Sequence, residues 1–254
     1  MRRSDDTGLD RRGAISMLGS VVAVGFLGGC GGSGESSPTP SSSGASATTS
    51  SSSVASTNAQ CVVTPALTEG PYFVDEMLNR SDIRTDPATG AARPGVPLDL
   101  TLVLSQVGAS GCGALAGALV DMWHCDALGV YSDISAQRTV GQRFLRGYQT
   151  SDANGAVHFT TVYPGWYQGR AVHIHFKVRT SQRASSGLEF TSQLFFDEAL
   201  TDQVHALSPY SQKGRRDTLI TSDGIFRSGG TSLLVPLAGS AGGYAGTMYV
   251  GVRV

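Results

Sequence analysis

A surplus of charge of either sign is the first thing this sequence lacks. Its 254 residues carry 19 Lys and Arg against 20 Asp and Glu, a formal charge of −1. Setting aside residues 1–29, which hold four Arg and three Asp, 15 basic and 17 acidic side chains remain, a balance of −2. No Lys/Arg cluster interrupts that balance, so nucleic acid or an anionic surface finds no electrostatic footprint here. Cysteine is scarce as well. There are four, with no close pair, which excludes a zinc site built from four Cys or from two Cys and two His. No segment repeats at a fixed period, which excludes a propeller or a solenoid. The apolar stretch over residues 14–27 falls short of the ~20 residues that a helical membrane span needs.

What is present divides the chain into three parts. Arg11-Arg12 precede the apolar stretch, which ends in Leu27-Gly28-Gly29-Cys30. The paired Arg resembles a twin-arginine export signal, and the tetrad resembles a bacterial lipobox whose Cys is lipidated. Residues 1–29 therefore read as an export signal, with Cys30 as the lipidation site and the only link to a membrane. Residues 30–60 are almost all Ser, Thr, Gly, Ala and Pro with a single charge at Glu35, a composition that cannot bury a core and serves as a tether. Residues 61–254 are long enough for one domain. An exported domain sits in an oxidising compartment, where two of Cys61, Cys112 and Cys125 can pair; the sequence leaves all three pairings open.

Within that domain the hydrophobic period is two. Leu98, Leu100, Leu102 and Leu104 alternate with Asp99, Thr101 and Val103, and the same alternation recurs around residues 120–123, 157–161 and 248–254. Short alternating runs separated by turn signals at residues 126–129, 152–155 and 222–224 predict strands with one buried face. Only residues 198–207 fit a helix. The pattern is all-β, and a β-sandwich with little helix is the expected fold.

The run from Arg170 to Arg179 is the most informative part of the chain. Val172, Ile174, Phe176 and Val178 lie on one face of a strand; His173, His175, Lys177 and Arg179 lie on the other. Imidazoles at i and i+2 can ligate one metal without moving the backbone. Alone, His-x-His equally describes a solvated polar face. Upstream, however, a turn ends on Tyr131, and an aromatic turn, Tyr163-Pro164-Gly165-Trp166-Tyr167, precedes the His strand. A phenol has a pKa of about 10, and only a hard, highly charged cation readily overcomes it. Two phenolates with two imidazoles therefore suit ferric iron better than zinc or copper. Tyr163 competes with Tyr167 for the second place, but its position at a strand end favours the core. His124, His158 and His205 receive no role, Trp123 reads as packing, and Arg146 as the partner of an acid near the site.

The segments Thr68-Glu69-Gly70-Pro71-Tyr72, Trp123-His124, Gly129-Val130-Tyr131, Pro164-Gly165-Trp166-Tyr167 and Arg170-Ala171-Val172-His173-Ile174-His175 together resemble the intradiol ring-cleavage dioxygenases, in the family's order and over most of residues 61–254. The resemblance implies one Fe(III) per chain held by Tyr131, Tyr167, His173 and His175, with Tyr167 the arm displaced when substrate arrives. It implies that Arg170 stabilises negative charge on the ring, that Gln193 faces the ring, and that Thr68, Gly70 and Pro71 wall the pocket. Substrate would be a small aromatic diol, opened with O2 to a muconate-type diacid. Tyr167 precedes His173 by only six positions, a shorter loop than in familiar members, which implies an open pocket. The alternative is an exported β-sandwich that binds metal or carbohydrate and keeps a vestigial iron site. Retention of four ligands and Arg170 counts against such decay.

Overall fold

The alternating runs become strands whose apolar sides meet in one core. The computed structural model describes residues 61–181 and 187–253; the expected export signal, tether and lipidation site at Cys30 lie outside the described residues. One sheet contains β1 (Pro97–Gly108), β2 (Gly111–Ala114), β5 (Ala156–Val162), β8 (Leu237–Ser240) and β9 (Gly243–Arg253). β1 lies parallel to β9 and antiparallel to β5 and β2. The second sheet is antiparallel in the order β4 (Arg146–Thr150), β3 (Leu119–Trp123), β6 (His173–Arg179) and β7 (Glu189–Phe195). Leu98, Leu100, Leu102, Leu104, Phe159 and Val250 from the first sheet share a core with Met122, Ile174, Phe176, Val178 and Leu194 from the second. Each such side chain removed from water contributes roughly 1.5–3 kcal/mol.

The second sheet departs from simple alternation, because β3 and β6 are buried on both faces. The cover over the polar face is the segment from Thr68 to Arg80, which crosses the sheet from β7 to β4. Gln193 Nε2 donates to the Thr68 carbonyl at 2.9 Å. Lys177 pairs with Glu69 and lies over the Phe73 ring, and Arg179 reaches Asp75 at 2.8 Å. Phe73 packs on Trp123, and the Tyr148 N–H donates to the Leu78 carbonyl. Ion pairs here replace the solvent that the polar face would otherwise meet.

Two short α-helices and three 3-10 turns lie outside the sheets among the described residues. α1 (Glu198–His205) forms where residues 198–207 were expected to, capped by Asp197, whose carboxylate accepts from the Leu200 N–H. α2 (Gly224–Gly229) begins at the Ser222-Asp223-Gly224 signal, which proves to be a helix cap rather than a turn between strands. Of the three possible disulfides, Cys61–Cys112 forms, with Cα atoms 5.4 Å apart. Cys125 is free and buried, and that burial pushes its thiol up to about 12.

Candidate metal and active site

Strand register assembles the site. Antiparallel partners share a face, and Arg146, Trp123, His175 and Gln193 are consecutive partners across β4, β3, β6 and β7. One row across four strands thus carries an imidazole flanked by an indole and an amide, with His173 one step along β6. The two His Nε2 atoms stand 3.0 Å apart. Two ligands at right angles around one metal are separated by about 3 Å when each bond is about 2.1 Å. His173 Nδ1 donates to the Ala171 carbonyl at 2.6 Å, which turns the Nε2 lone pair toward His175, the usual outer support of a metal-bound imidazole. Trp123 lies flat on His175, with centroids 4.9 Å apart and planes 6° off parallel.

The tyrosines arrive on two turns pressed together. Asp126 Oδ1 accepts from the N–H groups of Leu128 and Val130 and aims the chain so that Tyr131 enters the second sheet's polar side. A Cβ on Gly129 (φ +79°) would strike the Trp166 carbonyl, and one on Gly165 would strike that of Ala127. Only glycine lets the turn before Tyr131 and the turn before Tyr167 come this close. The Tyr167 hydroxyl lies 3.2 Å from His173 Nε2. Tyr131 is 5.7 Å from Tyr167 and 6.3 Å from His175 between ring centroids. Although its hydroxyl leans on the Tyr167 side chain, it finds no hydrogen bond of good geometry, and neither does His175 Nδ1.

The electrostatics are those of a site prepared for a cation. Burial pushes Tyr131 well above its ordinary pKa and Tyr167 up to about 12. Burial, reinforced by the Arg170 charge, pulls His173 down to about 3, and burial together with His173 pulls His175 well below its usual value. Four neutral donors crowd one buried point with an orphaned phenol among them. A buried polar group left unpaired is costly, and a hard cation satisfies all four at once. Among the described residues no three His, Cys, Asp or Glu side chains gather closely enough to hold a metal, so the phenols are indispensable to any site here. This donor set fits Fe(III).

Arg170 overlooks the same point. Its Nε donates to Asp223 Oδ2 at 2.9 Å, its Nη2 to Gln193 Oε1 at 2.6 Å, and its Nη1 stands 3.5 Å from His173 Nε2. Arg170 and Gln193 are thus brought together. Of the residues expected to wall the pocket, Gly70 sits above the imidazole, where an added Cβ would come 3.5 Å from His175 Cε1. Thr68 and Pro71 are exposed beside it.

Several side chains prove different from, or additional to, the sequence reading. Arg146 feels the charges of Glu76 and Asp133 but hydrogen-bonds to neither; its Nε and Nη2 donate to the carbonyl and hydroxyl of Ser132, next to Tyr131. Trp123 is packing, but what it packs against is a site imidazole. Tyr72, unassigned from sequence, stacks on Tyr131 at 4.4 Å and meets Tyr167 edge-on. Asp223 was missed altogether, since a turn acid 53 positions beyond Arg170 carries no mark of its partner. Tyr163 is buried with its hydroxyl on Thr201, and His124 bridges Thr161 and the Cys125 carbonyl. His158 and His205 also lie on other partners, Thr101 and the Pro164 carbonyl.

Comparison with known proteins places this geometry. The family model described as Dioxygenase matches residues 68–232. An intradiol ring-cleavage dioxygenase from Tetranychus urticae is 30% identical over 76% of this chain and 95% of its own, with a TM-score of 0.66. The dioxygenase domain of a dioxygenase carbohydrate-binding protein fusion from Streptomyces sp. SirexAA-E is 27% identical over 76% of this chain and 98% of its own, with a TM-score of 0.54. At 19% identity, over 75% of this chain and 72% of its own, 3-chlorocatechol 1,2-dioxygenase from Rhodococcus opacus 1CP shares the fold, with a TM-score of 0.53. All-β sandwich, matched family model and similar structure agree: this chain belongs to the intradiol ring-cleavage dioxygenases.

Proposed function

We propose that the protein is a non-haem ferric dioxygenase that opens catechol-type rings between the two hydroxyl-bearing carbons, with both atoms of O2 entering a muconate-type diacid. The observation that carries this reading is the meeting of two phenols and two imidazoles at one buried point under a fixed guanidinium. Tyr131, Tyr167, His173 and His175 would hold one Fe(III). Bound there, ferric iron supplies a Lewis acid and a template for the two oxygens of a catechol.

The chain's own residues divide the remaining work. Tyr131 is wholly buried and clamped, its carbonyl accepting from Thr139 Oγ1 at 2.7 Å, so it is the arm that stays. Tyr167 is half-buried beside the exposed Gln168-Gly169. It is the arm free to turn outward and accept a catechol proton at its Oη. Arg170 presents fixed positive charge where the ring gains negative charge, and such preorganised charge needs no reorganisation at the moment of reaction. Trp123, Tyr72 and Gly70 close the surrounding space to water.

The test is a visible absorption spectrum with metal analysis of the iron-loaded protein. A broad tyrosinate-to-iron band is expected, weakened in Tyr131→Phe and in Tyr167→Phe and shifted by added catechol. A protein that stays colourless after iron loading refutes the reading.

We also infer that residues 1–29 direct export, that Cys30 carries a lipid anchor and that residues 30–60 tether the catalytic domain. The Cys61–Cys112 disulfide supports an oxidising location, since cytosolic thiols are kept reduced. Acyl labelling of the wild type that persists in Cys30→Ser counts against the anchor.

A further inference from the structure

Arg170 is a long side chain with many rotamers, half-buried at the edge of the site, and its usefulness depends on where its charge points. Three contacts decide that. Asp223 Oδ2 accepts from Arg170 Nε at 2.9 Å and from the Ala171 N–H at 2.8 Å. Gln193 Oε1 takes Nη2 at 2.6 Å, while Gln193 Nε2 is spent on the Thr68 carbonyl. Nη1 alone is left toward His173. The Asp223 side chain is almost wholly buried. Burial pushes its carboxyl up, but the N–H groups of Ala171 and Phe226 and the Arg170 charge outweigh this and hold it below the ordinary carboxylate range. Its other oxygen is tied down as well, since Oδ1 accepts from the N–H groups of Ile225 and Phe226 and caps α2. One carboxylate thus bolts the guanidinium to a helix start.

We propose that Asp223 is a positioning residue of the site: it fixes Arg170 through Nε, so that, with Gln193 holding Nη2, the Nη1 group faces the metal and substrate position beside His173. This rests on the dioxygenase reading above. Asp223 touches neither substrate nor ligand and acts through Arg170. A displacement of about 1 Å in a positioned group costs on the order of 100-fold in rate, and a guanidinium released from Asp223 moves at least that far.

The experiment separates this role from capping. Asn and Ser are as good as Asp at a helix cap, so Asp223→Asn keeps the Oδ1 contacts. With its one oxygen spent on the cap, Asn places an NH2 donor opposite Arg170 Nε, where Asp223 Oδ2 accepted. In the full iron-loaded protein, with catechol as substrate, Asp223→Asn is expected to lower kcat about 100-fold with KM little changed. In an Arg170→Gln background it is expected to change kcat no further, because both substitutions remove one function. In the iron-free protein, the Arg170 Nε–H resonance, protected from exchange in the wild type, is expected to exchange rapidly in Asp223→Asn. If Asp223→Asn fails to fold, Asp223→Ser, which keeps a capping oxygen, replaces it with the same expectations. An equal loss of kcat with and without Arg170 overturns the proposal, as does an unchanged kcat. An Nε–H that stays protected overturns the pairing while leaving the dioxygenase reading intact. An iron-loaded wild type that opens no catechol refutes the dioxygenase reading, and the positioning role falls with it.

Discussion

Replacing Cys61 and Cys112 together by Ser is expected to weaken the domain strongly while leaving the proposed iron site intact. The bond spans 51 residues, and the chain-entropy relation for a loop of that length gives a stabilisation of about 4 kcal/mol at 25 °C, exerted through the unfolded state. Little offsets it, for Cys61 is exposed and Cys112 only half-buried, so two hydroxyls leave no cavity and no buried orphan. Folded geometry should hold, because the segment after Cys61 has its own bonds. The Thr64 N–H donates to the Gly251 carbonyl at 2.8 Å, the Gly251 N–H to Thr64 Oγ1 at 3.0 Å, and the Leu67 N–H to the Thr191 carbonyl at 2.9 Å. With a urea m-value of about 2.5 kcal/mol/M, the unfolding midpoint of the iron-free protein should fall by at least about 1.6 M, and m should rise because the unfolded chain without the cross-link is less compact. Iron is omitted so that binding does not shift the comparison. A fall below about 0.4 M, equivalent to about 1 kcal/mol at that m-value, refutes the entropy argument. Loss of the ferric absorption band in the double variant after iron loading refutes the claim that hydrogen bonds alone seat the segment.

Two further outcomes follow from buried charge. His124 is wholly buried and neutral, and burial pulls it down to about 4. The unfolded chain therefore binds more protons between about pH 6.5 and 4, so stability rises with pH across that window. The contribution is whole above about pH 6.5 and falls away as pH drops through 4, at a total cost of about 3 kcal/mol. His124→Gln should show a flatter fall in urea midpoint from pH 7 to 4, and equal slopes for the two proteins refute this. Arg146→Met removes the donor to Ser132 beside Tyr131 but also a buried cation whose Nη1 has no partner. Global stability should change by less than about 2 kcal/mol, while iron affinity, measured by chelator competition, should drop about tenfold or more. Undiminished affinity would show that Tyr131 needs no such support.

Strand alternation was legible wherever one face met the core and the other met polar surroundings, as along β1, β5 and β9. It was also legible that His173 and His175 share a face, because a period of two is local geometry. That they share it with Trp123 and Gln193 was not, since neighbouring strands are joined only by register and the four residues are scattered over 71 positions. Tyr131 and Tyr167 stood out by the turns they end, and only the position of Tyr163 at a strand end set it apart from Tyr167; their roles came through resemblance to a family. The burial of the polar face of β6 was invisible for a related reason. Nothing local marks Lys177 and Arg179 as covered, and the acids that cover them, Glu69 and Asp75, come from a segment more than 100 residues earlier.

By itself, then, the sequence determined what short-range chemistry determines: an all-β domain, the spacing of an imidazole pair and a stock of phenols suited to a trivalent cation. Tertiary structure alone decided the partners. It joined Cys61 to Cys112, gave Arg146 a carbonyl and a hydroxyl instead of an acid, and set Asp223 behind Arg170. The physical reason is the same in each case. A side chain's chemistry is written at its own position, whereas its partner is chosen by sheet register and loop closure, and these depend on the packing of the whole domain.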